Sequence, residues 1–167
     1  MRNNYETRAK RFINSFFADF HMPEHRQVLY CLQYVKDYNM AYKRNVKFEY
    51  GYTRFVFITS DYVIKMDYFK SQFGLCRDEV EVYEQAENDG MEYLFAKITP
   101  YEFNGNVYYI MPKVTGIDED REEELEDFLS DKEYNYIYDE LHLDDLHRGN
   151  FGVKDGQVTI FDYACVR

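Results

Sequence analysis

Leu143-Asp144-Asp145-Leu146-His147-Arg148-Gly149-Asn150, followed after a short gap by Ile160-Phe161-Asp162-Tyr163-Ala164, decides how this chain reads. Asp145 and Asn150 stand five apart in a loop-forming stretch, so both side chains can project into one cleft. Between the two runs, Asn150-Phe151-Gly152-Val153 and Val158-Thr159-Ile160-Phe161 read as two short strands around Asp155-Gly156. Such a hairpin returns a second Asp, Asp162, to the first. One carboxylate to orient or deprotonate a hydroxyl, with an amide and a carboxylate to hold Mg²⁺ on phosphates, is what phosphoryl transfer needs.

Upstream, residues 5–20 carry Phe12, Ile13, Phe16, Phe17 and Phe20 at helical spacing. Met22-Pro23-Glu24 breaks that helix and starts another. Val28, Leu29, Leu32 and Val35 form its stripe to about Asn39. The period then changes to that of strands: Val46 to Tyr50, Arg54 to Thr59, and Tyr62 to Met66 across a Ser60-Asp61 turn. Residues 76–88 return to helix and Gly90 ends it. Leu94 to Ile98 and Val107 to Met111 read as two more strands, turned by Asn104-Gly105-Asn106. Leu125, Phe128 and Leu129, then Tyr134, Ile137, Tyr138 and Leu141, give further helical stripes.

The D-L-H-x-G-N run with its following hydrophobic-Asp resembles the catalytic loop and metal-binding Asp of protein-kinase-like and aminoglycoside-phosphotransferase-like proteins. The resemblance implies that Asp145 is the catalytic carboxylate and that Asn150 and Asp162 are metal ligands. It implies that Lys65, in Val63-Ile64-Lys65, holds phosphates and pairs with a helical Glu. Glu79 is assigned to that pair, with Glu81 as the alternative, since two residues along a helix points elsewhere. Gly51 stands where the family has its glycine-rich loop. Met111 and Lys113 fall where its hinge strand meets adenine. The ordered set covers roughly residues 46–164.

The pattern also departs from the family. Gly51 is the one glycine in Tyr50-Gly51-Tyr52-Thr53, and Tyr163-Ala164 replaces the usual Phe-Gly after the metal-binding Asp. The chain stops five residues after Asp162, which leaves out the segments that hold a peptide substrate. In these respects it resembles small-molecule kinases and short phage-type kinase-like proteins.

The fold expected is α+β: a minimal two-lobed kinase-like domain with two leading helices (1–43), an antiparallel sheet lobe with the Glu-bearing helix (44–114), and a truncated, mostly helical lobe with the catalytic loop (115–167). The leading helices are expected to pack on this body and to replace part of the missing packing. ATP and Mg²⁺ are the expected cofactors, with an alcohol group as acceptor.

Composition bounds the alternatives. The 167 residues carry a formal charge of −11, which argues against broad binding to nucleic-acid backbones. Aromatic residues make up 19% with no Trp, and Tyr suits half-buried positions in a small fold. Three widely spaced cysteines, Cys31, Cys76 and Cys165, fit a reduced, cytoplasmic protein. The polar start gives no signal peptide, and no apolar run reaches membrane-spanning length.

Blander readings stand beside these. Asp145 and Asn150 are also ordinary turn formers. His147 is read first as a structural hydrogen-bonder. His21 and His25 flank Pro23, which argues against a helical metal pair. Residues 118–127 hold eight carboxylates in ten and read as a solvated helix start, or as an attractor for a basic substrate. A rival to the enzyme is a pseudokinase-type binding protein, a regulator or inhibitor of a host protein. A third reading is an acidic decoy for a nucleic-acid-binding protein.

Overall fold

The computed structural model describes residues 5–20, 27–51, 53–68, 74–117, 124–154 and 157–164. The Pro23 break, His21, His25, Tyr52, most of the acidic run, the Asp155-Gly156 turn and Cys165 lie outside the described residues. The architecture is α+β and forms two compact units, Met1–Gly74 with Thr99–Lys113, and Leu75–Ile98 with Val114–Arg167.

The first unit holds α1 (Tyr5–Phe16), α2 (Gln27–Tyr42), β1 (Lys47–Tyr50), β2 (Arg54–Ile58), β3 (Tyr62–Asp67), β4 (Thr99–Phe103) and β5 (Asn106–Pro112). The strands form one antiparallel sheet in the order β1-β2-β3-β5-β4. Alternation along β2 and β3 puts Phe55, Phe57, Tyr62, Ile64 and Met66 on one face, and both helices pack there. Aromatic contacts dominate that layer: Phe17 meets Tyr108 at 4.5 Å and Phe57 at 5.1 Å, and Phe16 meets Phe57 at 5.6 Å. Truncating one such ring to Ala costs about 3–5 kcal/mol. The leading helices therefore cover the sheet.

Two expectations shift. In α2 the inward positions are Val28, Cys31, Val35 and the half-buried Tyr34 and Tyr38, whereas Leu29 and Leu32 are exposed. Burial at intervals of three and four through Cys31 sets the face, and Leu29 and Leu32 fall off it. The strand expected at Leu94 to Ile98 lies later, at Thr99–Phe103, and pairs with β5. Leu94, Phe95, Ala96 and Ile98 are instead buried in the second unit. Pro100 disguised the true strand; β4 is an edge, where a residue without an N–H is tolerated. Its turn is the two residues Asn104 and Gly105, both at positive φ (50° and 73°), as a tight hairpin requires.

The second unit holds α3 (Leu75–Asp89), α4 (Asp131–Asn135) and the hairpin of β6 (Phe151–Lys154) and β7 (Gln157–Ile160). Gly90 at φ 69° closes α3, and Met91 N–H reaches back to the Ala86 carbonyl at 2.8 Å. Phe95 bridges Ile160 in parallel, and Ala96 N–H donates to the Ile160 carbonyl at 2.7 Å. Ser130 caps α4 in a reciprocal box with Glu133, and hydrogen bonds from Ser130 hold the Glu133 carboxyl below its usual range. One turn of 3₁₀ helix (Leu125–Phe128) and one of π helix (Tyr136–Glu140) flank α4. Among the described residues no helix is long and apolar enough to cross a membrane.

Burial pushes the Cys31 thiol up to about 12, from 9.0. Iodoacetamide at pH 8 is expected to leave Cys31 unmodified in the native protein and to label it after denaturation, read by peptide mass spectrometry. The unfolded chain releases this proton near pH 9 and the folded chain near 12, so the contribution to stability is complete below pH 9 and falls as pH rises between them. Melting curves across that window test the sign.

Candidate functional site

Asn150 organises the loop that carries Asp145. Its backbone N–H donates to the His147 carbonyl at 2.8 Å, and its Oδ1 accepts the His147 N–H at 3.2 Å. Its Nδ2 donates to the Asp162 carbonyl at 3.1 Å. Its own carbonyl accepts from Phe161 N–H at 2.7 Å and Asp162 N–H at 3.1 Å. The short turn Arg148–Asn150 is thereby stitched to the strand exit that bears Asp162. One buried amide satisfies backbone groups on both segments, which a buried Asn must do to justify its desolvation.

His147 is a structural member of this loop: its Nδ1 accepts the Gly149 N–H at 3.1 Å and so caps the turn. That hydrogen bond needs a neutral ring with the proton on Nε2. Arg148 reaches out to Glu124 at 2.8 Å, tying the loop to the described end of the acidic run. Glu124 in turn caps the Leu125–Phe128 turn reciprocally with Asp127. Asp145 is exposed and Asp162 is half-buried.

Glu79 lies on the buried face of α3 and is fully enclosed. Its Oε1 accepts the N–H of Tyr163, the residue after Asp162, at 3.3 Å. Glu81 is exposed and pairs with Arg77 at 3.1 Å. Tyr163 is an anchor: its hydroxyl donates to the Ala96 carbonyl at 2.7 Å and its ring meets Phe95 edge-on at 5.0 Å. In the sequence, the signal for this anchor is a bulky aromatic directly after Asp162. The second unit thus brings together Glu79, Asn150 and Asp162 through the 162–163 backbone, with Asp145 on the same loop.

The other candidates belong to the first unit. Lys65 is buried in β3, opposite Val56 of β2 and Tyr109 of β5. Met111 stands opposite Val63, so Lys65 and Met111 share the sheet face turned away from α1 and α2. Gly51 lies in the β1–β2 turn, where its N–H donates to the Arg54 carbonyl at 3.0 Å and its carbonyl accepts the Tyr68 hydroxyl. A Cβ at Gly51 would meet open space. Lys113 follows β5, donates its N–H to the Asp61 carbonyl at 3.0 Å, and lines a cavity beside α1.

The oxygen donors Asn150 and Asp162 suit a hard cation such as Mg²⁺. Among the described residues no group of three or more His, Cys, Asp and Glu could hold a metal. Two protein oxygens would leave the other positions on such an ion to ligands such as phosphate and water.

No protein-family model matches the chain, and no curated protein matches it. Solved structures similar to it include the streptomycin–ATP–APH(2″)-IIa ternary complex, at 14% identity over 77% of this chain and 70% of that one, TM-score 0.44. The Lpg2603 kinase of Legionella pneumophila bound to IP6 is similar at 17% identity over 73% of this chain and 52% of that one, TM-score 0.42. ADP-bound aminoglycoside phosphotransferase APH(2″)-Ib is similar at 23% identity over 68% of this chain and 39% of that one, TM-score 0.35. The chain spans about half of the second structure's length and less of the third. These are likenesses of fold, and no residue role rests on them.

Gly152 positions this hairpin. A Cβ there would stand 2.1 Å from the Thr115 carbonyl oxygen, whereas one at Gly116 would have only Phe151 O at 3.8 Å. Gly152→Ala is expected to cost about 3 kcal/mol or more, the upper range for overpacking, because backbone must yield. Gly116→Ala is expected to stay within about 0.5 kcal/mol. Urea titrations of both variants check the contrast.

Proposed function

We propose that the chain is an ATP- and Mg²⁺-dependent phosphotransferase of kinase-like fold, acting on a hydroxyl acceptor. The observation that carries this reading is the clamp of Asn150 on the Asp162 segment, with Glu79 bonded to the next N–H. These bonds bring the Asn150 amide and the buried Glu79 to the backbone of the short stretch that bears the Asp162 carboxylate.

In this reading Asn150 Oδ1, through its remaining lone pair, and the Asp162 carboxylate would hold Mg²⁺. The ion, when bound, would neutralise charge on the phosphates. Asp145 orients the acceptor hydroxyl and takes its proton as the oxygen bonds to the γ-phosphorus. The bond from that phosphorus to the bridging oxygen breaks, and ADP leaves with the electron pair. Lys65 would hold phosphate, with Glu79 as its partner; Met111 and Lys113 would meet the base and Gly51 the phosphates. The wide spacing of Cys31, Cys76 and Cys165 supports a reducing, cytoplasmic setting.

Calorimetry with ATP, with and without Mg²⁺, tests the site. Wild type is expected to bind in a Mg²⁺-dependent way and Asp162→Ala to lose that dependence; unchanged binding in the variant refutes the assignment. In turnover with a hydroxyl acceptor, Asp145→Asn is expected to lower kcat by about 10²-fold or more while leaving ATP affinity within about threefold.

One observation favours a kinase-like binding protein instead. The β1–β2 turn has a single glycine, and the Gly51 N–H already donates to the Arg54 carbonyl at 3.0 Å. Few backbone N–H groups then remain for wrapping phosphates. A protein partner whose capture survives Asp145→Asn, with no turnover in wild type, would establish that reading.

A further inference from the structure

The first unit contains a cavity of about 780 Å³ between α1, the end of α2, the start of β1 and the β2–β3 turn. Arg8, Arg11, Lys43, Arg44, Lys47 and Lys113 line it, against one carboxylate, Asp61. Asp61 is bonded to Arg8 at 3.0 Å. The chain as a whole carries −11, so this concentration of cations runs against its average. The six come from three separate stretches of sequence, and folding brings them to one concave surface.

The rim is fixed. Lys43 has φ 50°, the left-handed conformation that glycine adopts at little cost and a β-carbon opposes. Arg44 N–H then closes α2 on the Asn39 carbonyl at 3.2 Å. The Asn39 side chain clamps Val46 by bonds of 2.8 and 2.9 Å to its carbonyl and N–H. Cations after a helix C-terminus complement its dipole, and that alone would account for Lys43 and Arg44. It does not account for Arg8, Arg11, Lys47 and Lys113. Strain retained at a cationic position, where glycine would relieve it, points to use of the side chain.

We propose that this cavity binds a compact oligophosphate; of its lining it shares with the nucleotide site proposed above only Lys113, whose side chain lines the cavity and whose backbone would meet the base. Its volume lies within the roughly 300–1,000 Å³ of small-molecule sites. Several cations converging on one hollow suit clustered phosphates, through charge-assisted hydrogen bonds. A long nucleic-acid backbone would extend beyond the cavity over an acidic protein and be repelled.

The test is calorimetry with inorganic tripolyphosphate in EDTA, so that no divalent cation supports binding elsewhere. Wild type and Asp162→Ala are expected to bind alike, with affinity falling as salt rises. The double variant Arg11→Glu with Arg44→Glu, both exposed side chains, is expected to lose at least about tenfold. Lys43→Gly is expected to raise Tm by roughly 2–4 °C while weakening binding, a pairing that general destabilisation cannot produce. Absence of binding in wild type overturns the proposal. So does binding unchanged in the double variant, or lost in Asp162→Ala, which would put the ligand at the nucleotide site. A single-stranded oligonucleotide that outcompetes tripolyphosphate at equal phosphate also overturns it, in favour of a nucleic-acid surface.

Discussion

The second unit depends on one buried amide. Asn150 bonds to His147 on its own loop and to Phe161 and Asp162 across the hairpin. A loop with two acidic residues before it and a glycine within it has many conformations open to it. These bonds select one, and the cap from His147 and the Arg148–Glu124 pair hold it from its other side. Buried polar groups are costly unless fully met, so such a network favours a single arrangement over near misses. The same stretch of backbone then meets Glu79 through Tyr163. Side chains of two elements, the Asn150 turn and α3, are thus referred to one short segment, Asp162-Tyr163.

Much of this was legible in the sequence because it is local. The loop, the hairpin and the α3 glycine stop each span only a few residues, and spacing reports them well. Strands β1 to β3 followed from alternation and β-rich runs. Helical position alone does not show which face is covered; in the fold Glu79 lies on the covered face of α3 and Glu81 on the exposed one. What sequence concealed was long-range. The run Leu94 to Ile98 is apolar enough for a strand, but its hydrophobicity serves the second unit's core. The exposure of Leu29 and Leu32 could not be known before the sheet chose the Cys31 face of α2. The basic cavity is not apparent along the chain, because the short basic runs Arg8–Arg11 and Lys43–Lys47 and the distant Lys113 converge only on folding.

The sheet of the first unit has two chemically different faces. One is closed by aromatic rings from α1 and α2. The other carries the buried Lys65, with Val63, Val56, Tyr109 and Met111 beside it by register. A lysine in the middle of a sheet requires that its neighbours tolerate a charge. The leading helices contribute to this division by occupying the opposite face fully.

The order in which the chain visits the two units has a consequence for its birth on the ribosome. It leaves the first unit after Gly74, returns at Thr99, and leaves again after Lys113. The returning piece supplies β5, which sits between β3 and β4 inside the sheet. Until it emerges from the exit tunnel, β3 presents a bare row of hydrogen-bonding groups beside Tyr62, Ile64 and Met66. The nascent sheet therefore waits, unfinished, while α3 is being made. The two units cannot be divided by one cut, and neither is a cassette that gene fusion could transplant whole.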